Sequence, residues 1–121
     1  IEIGGFLYVR KSKTNDRTFT KGAGKLASSS PQEMKALTDF VQSVFKEGAL
    51  DLKTKEAIAI AISVYSRCPY CISAHVKNAL AAGLTREQII EAGTVAMAFG
   101  GGPAMAYSST VLIDALNELE K

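Results

Sequence analysis

The chain of 121 residues has the length of one domain, and 47% of its residues are hydrophobic, which suffices for a core without disulfide staples. A formal net charge of +2 gives no reason to expect nucleic acid as the main partner, and two closely spaced cysteines exclude a disulfide-rich secreted scaffold. The apolar run 57–65 is too short to cross a bilayer and no secretory leader is visible, so we expect a cytoplasmic protein without membrane contact.

The first 29 residues have no helical period, and we interpret 1–29 as a weakly structured arm before a helical domain, 30–121. A short strand in the first ten residues is weakened by Gly4 and Gly5. The arm is basic, which is typical of a solvated tail. Against Glu2 and Asp16 it carries Arg10, Lys11, Lys13, Arg17, Lys21 and Lys25.

Helical signals begin at residue 30, where Ser30-Pro31-Gln32-Glu33 has the form of a capping box with proline at the first helical position. Apolar residues then recur at steps of three and four, and Gly48 is the predicted stop. The apolar positions are Met34, Leu37, Phe40, Val41, Val44 and Phe45.

A second helix is predicted from a cap at Asp51 or Thr54 to about Ser66. The alternation of isoleucine and valine in this segment would suit a strand, but the intervening alanines are strong helix formers. A helix that is apolar on nearly all sides is expected to be buried all round.

The remaining helices are bounded by clear start and stop residues. Pro69 opens a third helix that Gly83 ends, and Thr85-Arg86-Glu87-Gln88 is a second capping box that opens a fourth, to about Phe99. The run Gly100-Gly101-Gly102-Pro103 breaks the chain; it fits neither dinucleotide nor P-loop spacing. A last helix runs over 104–119. The predicted fold is therefore all-α, a compact bundle of about five helices.

The apolar surfaces of 57–65, 92–99 and 104–116 exceed what one small helical domain can bury. We therefore expect a homo-oligomer.

One short segment, RCPYCISAH at 67–75, contains both cysteines and the only histidine. With Pro69 at a helix start, Cys71 and His75 lie on one face with β-carbons about 5–6 Å apart. Cys68, three residues earlier, is close enough to form a disulfide with Cys71. Because the thiolate is the reactive form and an ordinary thiol has a pKa near 8.5, a neighbouring base suits a dithiol redox site.

Other interpretations of these residues stay open. A zinc site would use Cys68, Cys71 and His75, although about 10 Å of helical rise strains one tetrahedral centre. The CPYC pattern also occurs in glutaredoxin-like proteins, whose fold needs flanking strands that are not predicted here. Buried cysteines can also be plain core residues. We expect neither a metal nor a cofactor.

Glu56 precedes Cys68 by twelve positions and completes the pattern E-x11-C-x-x-C-x3-H. Taken alone, Glu56 would be a solvated residue in the first turn of its helix. The pattern resembles the alkylhydroperoxidase D-like members of the carboxymuconolactone decarboxylase family. The resemblance covers residues 50–119 and extends to the segments KEAIAIA, NALAAGLTREQIIEA and AMAFGGGPA.

The resemblance implies an all-helical homo-oligomer, a trimer or hexamer, with thiol-dependent peroxidase activity. It assigns attack on a hydroperoxide to Cys71, disulfide formation to Cys68, and a proton relay to His75 and Glu56. The implied reductant is a lipoylated or thioredoxin-like protein.

Two alternatives to this function remain. The other branch of the family decarboxylates 4-carboxymuconolactone without a cysteine pair, and a non-enzymatic redox sensor would use the same disulfide.

The best-known peroxidase members carry histidine between the cysteines, where this chain has Tyr70. A helix N-terminus favours the thiolate of Cys68, whereas the position of His75 favours Cys71 as the attacking thiol.

Overall fold

The computed structural model describes residues 12–120, and all regular structure in this range is helical. This confirms the predicted all-α class. Six α-helices lie in the described range, with a π-helical turn at Ser108–Leu112 before the last one. The helices are α1 Ser12–Ser29, α2 Pro31–Val44, α3 Leu52–Tyr65, α4 Pro69–Ala82, α5 Arg86–Tyr107 and α6 Ile113–Leu119.

Short-range sequence signals set three of the helix ends. The side chain of Asp51 accepts the backbone N–H of Thr54 at 2.8 Å and caps α3. Thr85 and Gln88 exchange both hydrogen bonds of a capping box, at 3.1 and 2.9 Å, at the start of α5. Gly83 ends α4 with φ of 99°, in the left-handed region that favours glycine. These three predictions are confirmed.

The predicted capping box at Ser30 is wrong. Ser30 makes no capping hydrogen bond with its side chain, and its backbone N–H is bonded to the Leu26 carbonyl at 2.7 Å. Ser30 is thus the joint between α1 and α2 and not a free helix start. Helix α2 also ends at Val44, four residues before the predicted stop at Gly48.

The segment interpreted as a weakly structured arm differs from that expectation over Ser12–Ser29, which form α1. Residues 1–11 of the arm lie outside the described residues. The buried residues of α1 are Ser12 and Asn15. Because this helix packs through polar side chains, its sequence has no apolar period by which it could be recognised.

The glycine-rich run interrupts α5 as predicted. Gly101 has φ of 60° and ψ of −136°, a conformation outside the helical region, and the helical path resumes beyond it. Farther back in α5, a β-carbon at Gly93 would lie 2.8 Å from Leu112 and 2.9 Å from Ser108. Gly93 therefore allows α5 and the π-helical turn to approach closely.

Helix α3 packs between α4 and α5 and supplies the centre of the core. Ile60 and Val64 are completely buried. Ile58 and Ile62, on another face of the same helix, stay 45% and 60% exposed. The expectation that α3 is buried all round is therefore wrong within one chain, since Ile58 and Ile62 face outwards.

Among the exposed apolar side chains of residues 12–120 are two groups on neighbouring elements. The first is the α2 face, defined by Leu37, Phe40, Val41 and Val44, which are 43–62% exposed. The second is an apolar groove of about 560 Å³ between α3 and α5, where Phe99 is 81% exposed. Over residues 12–120, no helix combines the length and the apolar character needed to cross a membrane.

Candidate active site

Glu56 lies in the second turn of α3, and its side chain is turned into the protein. The residue is only 3% exposed. The alternative interpretation of Glu56, a solvated residue in the first turn of its helix, is therefore wrong. A buried carboxylate needs a hydrogen-bonding partner, because its desolvation is otherwise costly.

That partner is His75 on α4. The distance between Nδ1 of His75 and Oε1 of Glu56 is 2.9 Å, and the two side chains are 24% and 5% exposed. An ionised carboxylate can only accept, so Nδ1 of the imidazole donates. In the neutral imidazole, Nε2 then carries the lone pair and is available as a base. The structure thus joins two of the four predicted site residues across α3 and α4.

Cys68 and Cys71 form a disulfide, with their α-carbons 5.2 Å apart. Cys68 is the N-cap of α4, and its Sγ accepts the backbone N–H of Cys71 at 3.2 Å. Pro69 stands at the first helical position, as predicted. Arg67 has φ of 55° and turns the chain from α3 into α4. This turn is what brings the cysteine pair next to the helix that carries Glu56.

A pocket of about 510 Å³ contains Cys71 and His75 among its lining residues. Most of its remaining wall is apolar. The other lining residues are Val44, Phe45, Leu50, Lys55, Ile58, Ala59, Ile62, Ser63 and Ser66. One sulfur of the pair and the imidazole therefore share one largely apolar pocket.

Phe45 and Lys55 belong to the site but carried no sequence signal for it. The ring of Phe45 stacks on the imidazole of His75, with centroids 5.6 Å apart and an interplanar angle of 24°. Lys55 Nζ donates to the backbone carbonyls of Val44 at 2.7 Å and Lys46 at 2.5 Å. In the sequence Phe45 was one more member of an apolar stripe, and Lys55 one more surface charge.

Tyr70, the residue between the two cysteines, is 40% exposed. Its ring lies 6.4 Å from that of Phe19 on α1, at an interplanar angle of 32°. Tyr70 therefore has an aromatic neighbour on the outer side of α4, where α1 packs.

No group of three or more histidine, cysteine, aspartate or glutamate side chains that could hold a metal ion occurs in residues 12–120. Cys68 and Cys71, two of the ligands that the zinc interpretation needs, are bonded to each other in this structure. A sulfur in a disulfide is not the thiolate that binds zinc.

Comparison with known proteins gives one consistent family. The model of the carboxymuconolactone decarboxylase family matches residues 31–114. An uncharacterised protein of Cupriavidus necator is 34% identical over 107 residues, which cover 87% of this chain and 95% of that protein. Uncharacterised protein 4 of the cox locus of Paracoccus denitrificans is 46% identical over 69 residues; the match spans 57% of this chain and 62% of that relative, less than two thirds of its length.

Solved structures agree with the sequence matches. A carboxymuconolactone decarboxylase family protein from Legionella pneumophila superimposes with a TM-score of 0.86 and 34% identity, covering 91% of this chain and 97% of that one. A family member from Thermotoga maritima, described as having a possible part in an antioxidative response, gives a TM-score of 0.67 with 28% identity over 85% of this chain and 92% of its own. With the family model spanning most of the helical region, this chain belongs to the carboxymuconolactone decarboxylase family.

Proposed function

We propose that the protein is a dithiol-dependent hydroperoxide reductase of the alkylhydroperoxidase D-like type. The observation that carries the proposal is the Cys68–Cys71 disulfide beside the hydrogen-bonded pair of Glu56 and His75. A cysteine pair that can close, a base and an orienting carboxylate are the components that such a reaction needs. The antioxidative description of the Thermotoga maritima relative points the same way.

In the proposed reaction, Nε2 of His75 takes the proton of the reduced Cys71 thiol. The thiolate attacks the terminal oxygen of ROOH, the O–O bond breaks, and the departing alkoxide takes the proton from His75 to leave as ROH. Cys71 is then a sulfenic acid. The Cys68 thiol attacks its sulfur, the S–S bond forms and water leaves. An external dithiol restores both thiols by exchange.

Cys71 is the attacking thiol in this proposal because it lines the pocket that contains His75. Cys68 is at the N-cap of α4, where the helix dipole and the N–H of Cys71 favour a negative sulfur. A sulfur stabilised as thiolate is suited to close the disulfide, and it is the better leaving group when a reductant attacks Cys71.

The setting of the reaction is part of the proposal. A lipoylated or thioredoxin-like protein serves as reductant in a cytoplasmic environment, and the protein works as a homo-oligomer, a trimer or hexamer. The exposed α2 face and the apolar groove between α3 and α5 support self-association, because subunit contacts would bury this apolar surface away from water.

Self-association has its own test in sedimentation velocity. Phe40→Lys on the α2 face should shift the protein towards a smaller species, whereas Arg17→Glu, an exposed change on α1, should not. A parent protein that sediments as a monomer at micromolar concentration would refute the oligomer but leave the thiol chemistry in place.

The catalytic test is steady-state reduction of cumene hydroperoxide with dihydrolipoamide as donor. The parent should turn over, and Cys71→Ser and Cys68→Ser should not. Absence of turnover with this donor and with reduced thioredoxin, together with a normal disulfide cycle, would favour the redox sensor.

Decarboxylation of 4-carboxymuconolactone is the second candidate function, because the matching family is named for that reaction. Its chemistry does not require the cysteine pair. Release of carbon dioxide from 4-carboxymuconolactone by the Cys68→Ser, Cys71→Ser double variant would establish it.

A further inference from the structure

Lys55 connects the end of α2 to α3. Its ammonium donates to the carbonyls of Val44 and Lys46, at 2.7 and 2.5 Å. The last carbonyls of a helix have no partner within the helix, and a cation placed there also interacts favourably with the helix dipole. The two carbonyls belong to the residues on either side of Phe45, so the contact fixes the backbone at Phe45.

A second contact ties the same segment to α3. A carboxylate oxygen of Glu47 accepts the backbone N–H of Leu52, the first residue of α3, at 2.7 Å. The N–H of Phe45 is bonded to the carbonyl of Val41 at 3.1 Å. Phe45 is therefore held between the last turn of α2 and the first turn of α3.

Two consecutive residues of α3, Lys55 and Glu56, support His75. Glu56 contacts it directly, and Lys55 acts through Phe45. Glu56 holds one edge of the imidazole through the 2.9 Å hydrogen bond to Nδ1. Lys55 holds Phe45, whose ring covers one face of the imidazole. A single hydrogen bond leaves the ring free to tilt about the N–O direction, and a stacked neighbour removes that freedom.

We propose that Phe45 is a positioning residue for His75, and that Lys55 acts through Phe45. With Glu56 fixing the edge and Phe45 fixing the plane, the imidazole of His75 is held in one orientation inside the pocket that Cys71 also lines. The inference rests on the proposed function, because the positioning of His75 serves peroxide reduction. The proton transfer from Cys71 to His75 that it supports can be measured without peroxide.

The test measures thiolate formation at Cys71 directly. In a Cys68→Ser background, the rate of Cys71 alkylation by iodoacetamide is followed by mass spectrometry at pH 7 and at pH 9.5. At pH 7 the thiolate depends on His75; at pH 9.5, above the ordinary thiol pKa of about 8.5, it forms without help. A variant that misplaces His75 should therefore lose rate at pH 7 and recover it at pH 9.5.

Phe45→Leu keeps an apolar side chain but removes the flat ring, and should lower the rate at pH 7 by about tenfold. Phe45→Tyr keeps the ring and should retain the parental rate. Lys55→Met should resemble Phe45→Leu, and combining the two should add little, since Lys55 acts through Phe45. Lys53→Met, on the exposed side of α3, is the matched control and should leave both rates unchanged.

Equal rates for Phe45→Leu and the parent at pH 7 would overturn the inference, and so would a change of the same size at both pH values. A His75→Ala variant that alkylates like the parent at pH 7 would also overturn it. If Phe45→Leu lowers the alkylation rate as expected while the protein with both cysteines consumes no peroxide, the inference stands and the proposed function fails. If the protein with both cysteines reduces peroxide but Phe45→Leu leaves the alkylation rate at pH 7 unchanged, only the inference fails.

Discussion

Glu56 and His75 are 19 positions apart in the chain, yet Oε1 of one lies 2.9 Å from Nδ1 of the other. The hydrogen bond joins α3 to α4 just where the cysteine pair begins α4. It turns a buried carboxylate, which would be destabilising alone, into the support of an imidazole that lines the pocket with Cys71.

Replacing either member of this pair should reduce peroxide turnover without unfolding the protein. His75→Ala removes the base and should lower kcat/KM for cumene hydroperoxide by about a hundredfold. Glu56→Gln keeps a polar partner for Nδ1 but removes the charge that supports the imidazolium, so a smaller loss, about tenfold, is expected. Glu87→Gln, an exposed change in the first turn of α5, is the control. Full activity of His75→Ala would contradict the relay.

The unequal roles of the two cysteines can be trapped chemically. Cys68→Ser leaves Cys71 without a partner, so one equivalent of hydroperoxide should leave a sulfenic acid on Cys71 that dimedone labels. Cys71→Ser should give no label on Cys68. A label on Cys68 in that second variant, and none on Cys71 in the first, would reverse the assignment.

Asp51 gives the stability of the protein a predictable pH dependence. Hydrogen bonds from the Thr54 side chain and backbone, with a smaller effect of Lys53, hold the pKa of Asp51 below its usual value. A lowered pKa in the folded state means that the stabilisation is complete above the usual value, about 3.9, and is lost as the pH falls through the lowered one. Asp51→Asn should therefore melt below the parent at pH 6, and the difference in Tm should vanish in stronger acid. A difference that is constant over this range would exclude the charge as its source.

Two glycine substitutions should change stability in opposite directions. Gly22 lies inside α1 with nothing within 4 Å of a β-carbon built there, so Gly22→Ala should stabilise by about 0.5–1 kcal/mol. Gly83 has φ of 99°, and Gly83→Ala should destabilise by about 1–2 kcal/mol. Urea unfolding at one fixed protein concentration measures both, since an oligomer's stability depends on concentration. Destabilisation by Gly22→Ala would contradict the helical assignment of α1.

Local sequence rules predicted the features that depend on a few neighbouring residues. The Thr85–Gln88 capping box, the Gly83 stop and the Pro69 helix start are formed as expected, because each is a contact within one turn. The spacing of Glu56 and His75 could be recognised only through the family resemblance. Nothing in their local surroundings indicates that they meet.

The missed features all depend on tertiary contacts. Helix α1 was not recognised because Ser12 and Asn15, its buried residues, are polar. Phe45 joins the site because Lys55 holds the chain that follows α2, a contact between positions that no short pattern connects. The sequence predicts burial all round for α3 because its apolar residues lie on nearly every face. Which face the other helices cover depends on tertiary packing, and Ile62 lies on a face that they leave open.

A single-turnover titration tests the central claim most directly. Fully reduced protein is mixed with one equivalent of cumene hydroperoxide, and free thiols and remaining peroxide are counted. The proposal predicts that peroxide and both thiols disappear together in a ratio of one peroxide to two thiols, with one equivalent of cumyl alcohol formed. Survival of both thiols and of the peroxide would contradict it.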